Sequence, residues 1–512
     1  MRGGRAIAAA WAAGLVGIAA GQAAGQVAGM DRSGKQWVPI EWSLARPGVQ
    51  GNPYDVVAAA TFTHAGSGER ITTEMFHAGG AAWKFRFTPT KAGKWTFTTK
   101  SDAAGLGARR GTVTAAANPT ARGFVTAFGG KWGFSGTGEV FVPQLAMYPG
   151  PDAYREKPEK IDRDIRTFLV EHGFNGFHTL VFCRWFDIGQ ERATGIRGKD
   201  PNPDPRTFEA LEMLIGKTYA AGGIVHIWAW GDESRTQTPI RLGGKNGPAD
   251  RRLQRYIAAR LGPLPGWTMG YGFDLDEWTQ EKDLREWHTC MHKHMGWRHM
   301  LGGRSVGPNH YRPGIKFPQI YEGLDYSGYE QHRPTYAAYV AAMAARPDKP
   351  TFSEDRFRIR PHAYPEKDYD MVRTRRGLWH STMAGGVANI WGKLDGKPGG
   401  RGSVAYPRPE AIKTWSVFFR GRFLRDMSPN ARITDGTCLA RPKRTHYVFY
   451  KEDAGSVRMD LSGMSGPQPA VAVDALKPYK ELPLGRLKPA KQSWKAPYSS
   501  DWAVAIGPFE RR

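Results

Sequence analysis

Residues 255–278, RYIAARLGPLPGWTMGYGFDLDEW, decide the fold. Tyr256, Ile257 and Leu261 fall at helical spacing, Gly262 and Pro263 stop the helix, and Trp267 to Phe273 run apolar and extended. The stretch therefore reads as a helix, a break and a buried strand. That strand delivers Asp274, Asp276 and Glu277 at its C-terminal end. A carboxylate on an apolar strand is costly to bury, so these acids are expected to emerge into a site.

The same alternation extends on both sides, over residues 122–423. The extended run GEVFVPQLAM precedes the amphipathic EKIDRDIRTFLVEHG, and FNGFHTLVF precedes TFEALEMLIGKTYAAG. GIVHIWAW follows, then the opening stretch and the helix DLREWHTCMHKHMG. HMLGGRS, LDYSGYE with TYAAYVAAMAARP, KPTFSED, and GVANIW behind its own helix complete the series. Eight strand–helix units in about 300 residues have the rhythm of a (β/α)8 barrel. An open doubly wound sheet would have fewer units and often a glycine-rich phosphate loop. Neither GxGxxG nor a P-loop occurs here in a strand-to-helix setting.

The grammar differs at both ends. In AAWKFRFTPTKAGKWTFTTKSD, Trp83, Phe85 and Phe87 alternate with Lys84 and Arg86, PTKAG turns, and Trp95 and Phe97 resume the alternation. Period two with one apolar face predicts half-exposed antiparallel strands. With YDVVAAATFTH before it and RGTVTAA after it, residues 31–118 read as a sandwich of roughly seven strands, close to immunoglobulin size. Nothing in it collects acids, bases or metal ligands. From 424 to 512, THYVFYKED, SVRMDLSG, PAVAVDAL and DWAVAIGPF are short strands between Gly/Pro turns, which predict a second small β-sandwich. The fold class is α/β: a (β/α)8 TIM barrel flanked by N- and C-terminal β-sandwich domains.

Residues 1–29 have a basic start, an apolar centre from Ala6 to Ala20 and small residues around Ala23 to Gly29, the layout of a secretory signal peptide. The expected location is secreted or periplasmic, without stable membrane insertion once the signal is removed. Three cysteines, Cys183, Cys290 and Cys438, are too few for a disulfide framework and read as buried free thiols. The formal charge is +24, from 72 basic and 48 acidic residues. The basic residues are scattered without a helix-turn-helix or finger pattern, which disfavours nucleic acid. A basic surface suits an anionic ligand such as an acidic or sulfated polysaccharide, or reflects a bias toward arginine.

In a (β/α)8 barrel the active site lies at the C-terminal strand ends. Strand four ends in FDLDEW with Asp276 and Glu277, and strand seven in KPTFSED with Glu354. Strand two ends in CRWFD, with Arg184, Trp185 and Asp187; strand three in WAWGD, with Trp228, Trp230 and Asp232. Strand five ends at Arg304, strand six offers Tyr326 and Tyr329, and strand eight ends at Trp391. Two carboxylates across one aromatic-lined mouth suit glycoside hydrolysis: one protonates the leaving oxygen, the other attacks the anomeric carbon or activates water. Tryptophan faces stack on sugar rings.

The layout resembles the retaining glycoside hydrolases of clan A, with the acid/base Glu after strand four and the nucleophile Glu after strand seven. YIAARLGPLPGWTMGYGFDLDEW is similar to their helix, R-Y/L-G-x-x-P, strand and Asn-Glu segment, and KPTFSED to their K-P-(I/V)-x-x-(S/T)-E. The resemblance implies Glu277 as acid/base, Glu354 as nucleophile, Arg184 and Trp391 as further site residues, and Tyr326 or Tyr329 as the tyrosine bonded to the nucleophile. The N-terminal region, with FRFTPTKAGKWTFTT, strongly resembles an immunoglobulin-like domain of unknown function that precedes such barrels in exported cellulase-like and apiosidase-like glycosidases. The C-terminal region resembles the small, collagen-binding-like β-domain that follows them. One departure stands out: the family Asn before the acid/base is Asp276 here. It accepts a hydrogen bond from a sugar hydroxyl but donates none, and it sets a like charge beside Glu277. Asp274 is a second candidate for the acid.

Other signals carry less. His288 and His292 share a helix face, but Thr289 stands where a metalloprotease motif has Glu, and His294 and His299 lie close by. On an outer helix these read as surface or packing histidines, so no metal and no cofactor is expected. Cys183 reads as a packed thiol rather than a nucleophile. The loop SRTQTPIRLGGKNGPADRR is either a substrate-contacting lid or a solvated loop. The expected activity is hydrolysis of O-glycosidic bonds in a poly- or oligosaccharide; the alternative is a carbohydrate-binding or surface-interaction protein on a degenerate glycosidase barrel.

Overall fold

The structure is a computed structural model that describes residues 29–198, 200–304, 321–330, 335–357, 370–392 and 405–510. The expected signal segment lies outside the described residues except for Gly29. Eight strands form the N-terminal unit: β1 (Arg32–Lys35), β2 (Ile40–Ala45), β3 (Ala58–His64), β4 (Arg70–Glu74), β5 (Phe76–His77), β6 (Ala82–Phe87), β7 (Gly93–Ser101) and β8 (Arg110–Ala116). They make two sheets, ordered β1-β8-β7-β3-β4 and β2-β6-β5. The alternating aromatics meet between them. Trp42 stacks on Phe85 at 5.0 Å and Phe62 on Phe87 at 3.9 Å, with Trp95 and Phe97 completing the core.

The opposite face of β6 is not fully solvated. Arg86 is buried, with Nε donating to Glu41 Oε2 at 2.8 Å, Nη2 to Glu212 Oε2 at 3.0 Å and Nη1 to the carbonyl of Arg260 at 2.9 Å. Arg260 Nε in turn donates to Glu212 Oε1 at 2.6 Å. Glu212 and Arg260 belong to the barrel, so the sandwich docks on it through a buried Arg–Glu–Arg triad. Trp297 adds an apolar anchor, entering the sandwich core with Nε1 donating to the Thr88 carbonyl at 2.9 Å.

Three short antiparallel strands follow, β9 (Val125–Phe128), β10 (Lys131–Phe134) and β11 (Val140–Phe141). The run GEVFVPQLAM, which reads as one strand, is divided here. Pro143 cannot donate to a ladder, so Val140 and Phe141 pair with β10 while β12 (Gln144–Met147) starts the barrel. The remaining barrel strands are β13 (Gly176–Leu180), β14 (Ile224–Trp228), β15 (Trp267–Gly270), β16 (Leu301–Gly302), β17 (Ser327–Tyr329), β18 (Thr351–Phe357) and β19 (Ala388–Trp391). All their pairings are parallel, in the order β16-β15-β14-β13-β12-β19-β18-β17. A parallel bridge from Arg304 to Gly328 closes the ring between β16 and β17.

Seven α-helices are present among the described residues: α1 (Pro158–Asp164, continued by a π-turn segment to His172), α2 (Pro205–Ala220), α3 (Pro248–Leu261), α4 (Glu281–Met295), α5 (Tyr336–Ala345), α6 (Met371–Met383) and α7 (Pro409–Phe419). Strand parity separates two layers. Leu145, Leu180, Trp228, Phe352 and Ile390 face inward and share a core with Val125, Trp132 and Phe134, so the β9–β11 segment plugs the N-terminal end of the barrel. Phe177, Val225, Ile227, Met269 and Trp391 face the helices.

The C-terminal unit is a six-stranded antiparallel sheet, β20 (Ser428–Pro429), β21 (Thr437–Ala440), β22 (Tyr447–Asp460), β23 (Gln468–Asp474), β24 (Leu482–Leu487) and β25 (Lys491–Ile506), ordered β20-β21-β22-β25-β23-β24. Register shifts between Lys451 and Ser456 bend the β22–β25 ribbon. Trp494 and Trp502 on the same strand come within 5.1 Å, possible only if that strand folds back over a core of its own. The outer face packs on the barrel helices, where Trp379 stacks on Tyr450 at 4.8 Å and Arg375 pairs with Asp501. No helix among the described residues is long and apolar enough to cross a membrane.

Burial alone would raise the Glu212 carboxyl, but Arg260 and Arg86 outweigh it and hold it down at about 2, against an ordinary 4.5. The stability this pairing contributes is present above pH 4.5 and is lost as pH falls toward 2. Glu212→Ala strands two buried guanidinium groups and is expected to cost about 3 kcal/mol. Glu41→Ala, on the half-buried rim, should cost no more than about 1 kcal/mol. Chemical denaturation of both variants at pH 7 and pH 3 checks this; the Glu212 penalty should shrink at the lower pH.

Candidate active site

Glu354 and Asp355 owe their positions to an irregularity in β18. Ser353 pairs with Asn389 and Arg356 with Ile390, so the two acids fall within a register shift, a bulge in the middle of the strand. Glu354 is fully buried. Its Oε1 accepts from Tyr326 Oη at 2.7 Å and from Trp228 Nε1 at 3.4 Å. His226 Nε2 stands 3.0 Å from the same oxygen but off the line of a hydrogen bond, while its Nδ1 meets Thr268 Oγ1 at 2.8 Å. Oε2 has no hydrogen-bond partner among the described residues. A buried carboxylate oxygen left this way costs about 1–3 kcal/mol or more, so its position requires an explanation.

Two glycines make room for this side chain. A Cβ on Gly270 would lie 2.9 Å from Glu354 Oε1, and one on Gly328 would lie 2.5 Å from Oε2. Burial, followed by the Glu354 carboxylate, pushes the Tyr326 phenol well above its ordinary range, so it stays a donor. The Tyr326 ring rests 5.4 Å from the Trp132 ring of the plug.

Above this group lies Arg304, whose backbone closes the barrel. Its buried guanidinium pairs with Asp274, stands 3.7 Å from Glu330 and 4.0 Å from Asp355, and lies over the rings of Trp228 at 5.8 Å and Phe273 at 5.6 Å. Burial would lower its proton affinity, but Glu330, Asp274, Asp355 and Glu354 together raise it, so it is a fixed cation. Asp274 takes left-handed backbone, φ 50°, which an aspartate tolerates better than a branched residue, and this turns the chain out of β15. Burial raises its carboxyl, with Glu330 and Asp232 adding to it against Arg304.

Glu277 ends the short 3-10 turn Leu275–Glu277 and is exposed, as is Asp276. Its carboxyl is raised by partial burial, then by Asp274, Asp232 and Asp276, with Arg304 opposing. The like charge of Asp276 acts in the expected direction, but Asp274 and Asp232 do more. Asp232 is itself buried, caps the turn Glu233–Arg235 and faces Arg235 Nε at 3.4 Å. Arg304 is the group that both proposed acids feel, since it acts on Glu277 and is acted on by Glu354.

The structure thus brings together Glu354, Tyr326, Trp228, Arg304, Asp274, Asp232, Asp276 and Glu277. It places six other expected residues elsewhere. CRWFD is not strand: Phe182–Trp185 form a 3-10 turn beyond β13. Arg184 engages Asp152 at 2.5 Å and Glu191 at 3.3 Å, and Asp187 faces Arg206 at 3.6 Å. Trp185 packs on Phe208 with Nε1 donating to Ala229 O at 2.9 Å, and Trp230 packs near Phe186 in the same core. Trp391 is one residue out of phase with inward Ile390 and donates to Gln144 Oε1 at 2.7 Å in the outer layer. Tyr329 likewise packs outward beside Tyr339. His226, Thr268, Asp355 and Glu330 were not anticipated. Period-two counting back from Trp228 finds His226 on the inward face, a signal that GIVHIWAW carries. The lid-or-loop stretch 234–252 is in part α3 and in part short 3-10 turns, with Lys245 donating to the Trp278 carbonyl at 2.8 Å. The connections after β16, β18 and β19 lie largely outside the described residues.

Residues 33–102 match a family described as a domain of unknown function, DUF5060. No curated protein matches the chain. Among solved structures, a candidate glycoside hydrolase from Bacteroides vulgatus superposes with a TM-score of 0.71 at 16% identity, covering 93% of this chain and 99% of that one. A glycoside hydrolase family 5 structure from the same organism gives 0.55 at 15% identity, over 76% and 94%. A third structure, named only as a glycoside hydrolase, gives 0.53 at 13% identity, over 76% and 98%. The chain shares the fold of these proteins.

The packing around Glu354 generates a stability prediction. Gly328→Ala drives a methyl group into Glu354 Oε2 and also to within 2.3 Å of the Gly303 carbonyl. It is expected to destabilise by about 1–3 kcal/mol. Glu354→Gln relieves a buried charge and should leave Tm unchanged or raise it. Thermal denaturation of the two variants beside wild type tests both; a neutral Gly328→Ala would show slack where the geometry has none.

Proposed function

We propose that this chain is an exported retaining glycoside hydrolase that cleaves O-glycosidic bonds of a poly- or oligosaccharide, with Glu354 as nucleophile and Glu277 as acid/base. The observation that carries the reading is the contrast between the two carboxyls at one barrel mouth. Glu354 is inside, oriented by Tyr326 and Trp228, with Oε2 uncommitted. Glu277 is outside, its proton affinity raised by partial burial and then by the surrounding carboxylates. Paired acids in opposed environments are how one site holds an attacking group and a proton donor at the same pH. The glycosidase fold of the structural neighbours supports the same reading.

In this scheme Glu277 protonates the glycosidic oxygen as Glu354 Oε2 attacks the anomeric carbon; water activated by Glu277 then hydrolyses the glycosyl ester with net retention. Arg304 orients the surrounding acids, and Asp276 accepts from a sugar hydroxyl. Export follows from the N-terminal 29 residues, and the net charge of +24 favours an acidic or sulfated glycan. The two β-domains serve as supports or carbohydrate contacts. The complete burial of Glu354, and the packing of Trp185, Trp230 and Trp391 into cores, favour a second reading, a carbohydrate-binding protein without turnover.

A glycan panel with anomeric analysis of the products decides between them. Turnover with retention, lowered at least about 10³-fold in Glu354→Gln, is expected for the enzyme. Glu277→Gln should spare substrates with activated leaving groups while losing about 10²–10⁴-fold on ordinary glycosides. Binding without turnover in wild type supports the second reading instead.

The pH profile carries a further expectation. Because Glu277 acts protonated, activity falls as pH rises through its raised value. Asp276→Asn removes one of the charges that raise it, so the alkaline limb of kcat/KM should move to lower pH. An unmoved limb would exclude Glu277 as the proton donor.

A further inference from the structure

At the opposite end of the barrel, three ligand-type atoms converge outside the proposed catalytic group. His288 and His292 lie one helical turn apart on α4, and Asp325 sits just before β17. His288 Nε2 and His292 Nε2 are 3.1 and 2.8 Å from Asp325 Oδ2, and 3.1 Å from each other. Asp325 is buried, and the two imidazoles keep partial exposure, 14% and 23%. Oδ2 also accepts the Leu301 N–H at 3.1 Å, and Arg298 Nη2, from a largely exposed side chain, reaches Oδ1 at 3.2 Å.

Hydrogen bonds alone do not satisfy this triangle. Each Nε2 carries at most one proton. If both nitrogens donate to Oδ2, their N–H groups crowd onto one oxygen that already accepts the Leu301 N–H, with the nitrogens 3.1 Å apart; if either is bare, its lone pair opposes a carboxylate or is spent on the other ring. A cation at the centre accepts all three lone pairs together. With His and carboxylate bonds of about 2.0–2.2 Å, a tetrahedral ion needs ligand separations of about 3.3 Å, a few tenths of an ångström beyond those observed. The second lone pair of Oδ2 and the contacts of Oδ1 fix the carboxylate from behind, as outer partners do in metal sites.

We propose that His288, His292 and Asp325 form a structural site for a divalent transition metal of the zinc class, with water at the solvent-facing fourth corner. Two imidazoles and one carboxylate select such an ion over magnesium or calcium. The ion would tie the C-terminal half of α4 to the start of β17, at the end of the strands away from Glu354. It takes no part in the proposed hydrolysis.

The test uses tag-free full-length protein stripped with EDTA. Zn2+ titration by calorimetry should give one site that His288→Ala/His292→Ala lacks, with Mg2+ giving no heat. Saturating Zn2+ should raise the wild-type Tm by about 2–5 °C and leave the double variant unmoved. His292→Ala alone, at the more exposed position, and Asp325→Asn should each weaken binding at least about tenfold. His294→Ala, whose ring pairs with Glu74, should bind as wild type does. Equal stoichiometry and equal Tm shift in wild type and the double variant, or no Zn2+ bound to wild type, would overturn the proposal. A circular dichroism spectrum matching wild type keeps a loss of binding from being read as unfolding.

Discussion

A buried arginine sets the arrangement of the barrel mouth. The Arg304 guanidinium is nearly inaccessible, and its backbone makes the bridge that closes the ring of strands. Removing a cation from water costs several kcal/mol unless anions and hydrogen bonds surround it. The structure answers with Asp274 and Glu330 from beyond β15 and β17 and Asp355 from the bulge of β18. Closure and acid clustering are therefore one requirement: a barrel shut at that residue must gather carboxylates there. Burial first, and then the surplus of negative groups around one fixed cation, raises the proton affinity of Asp274 and Glu277.

Bulges and glycines refine what the charge begins. An unbroken β18 would alternate its side chains strictly, so adjacent acids would face opposite layers. The two-residue bulge at Glu354 and Asp355 lets one acid meet Tyr326 while the next approaches Arg304. Gly270 and Gly328 then leave the volume that a carboxylate and a tyrosine need inside a ring already filled by Trp228 and Phe352.

The barrel was legible because its signals are local and periodic: apolar runs, helix stops and strand-end acids repeat in order. The Trp/Phe alternation of the first sandwich was equally clear, although period two could not tell that Arg86 meets Glu212 instead of water. Trp185, Trp230 and Trp391 show the limit at the site. An aromatic near a strand end has one chance of facing the axis, and a single 3-10 turn or one step of parity sends it to the core. Tyr326 and Tyr329 make the same point within three residues, since only the first reaches Glu354. His226 was readable from parity; the Asp325 cluster was not, because its third member comes from another element.

The small β9–β11 segment bears on where the barrel unit begins. Trp132 donates to the Thr351 carbonyl at 3.2 Å, on the strand that carries Glu354, and its ring lies against those of Tyr326 and Phe352. The strand and the tyrosine that hold Glu354 thus rest on an indole inserted from the other end of the barrel. Excising the barrel at its first strand, Gln144, would remove that floor while leaving every strand and every acid in place. The packed core of the barrel therefore includes the chain from Val125 onward, a boundary set by side chains and not by a strand.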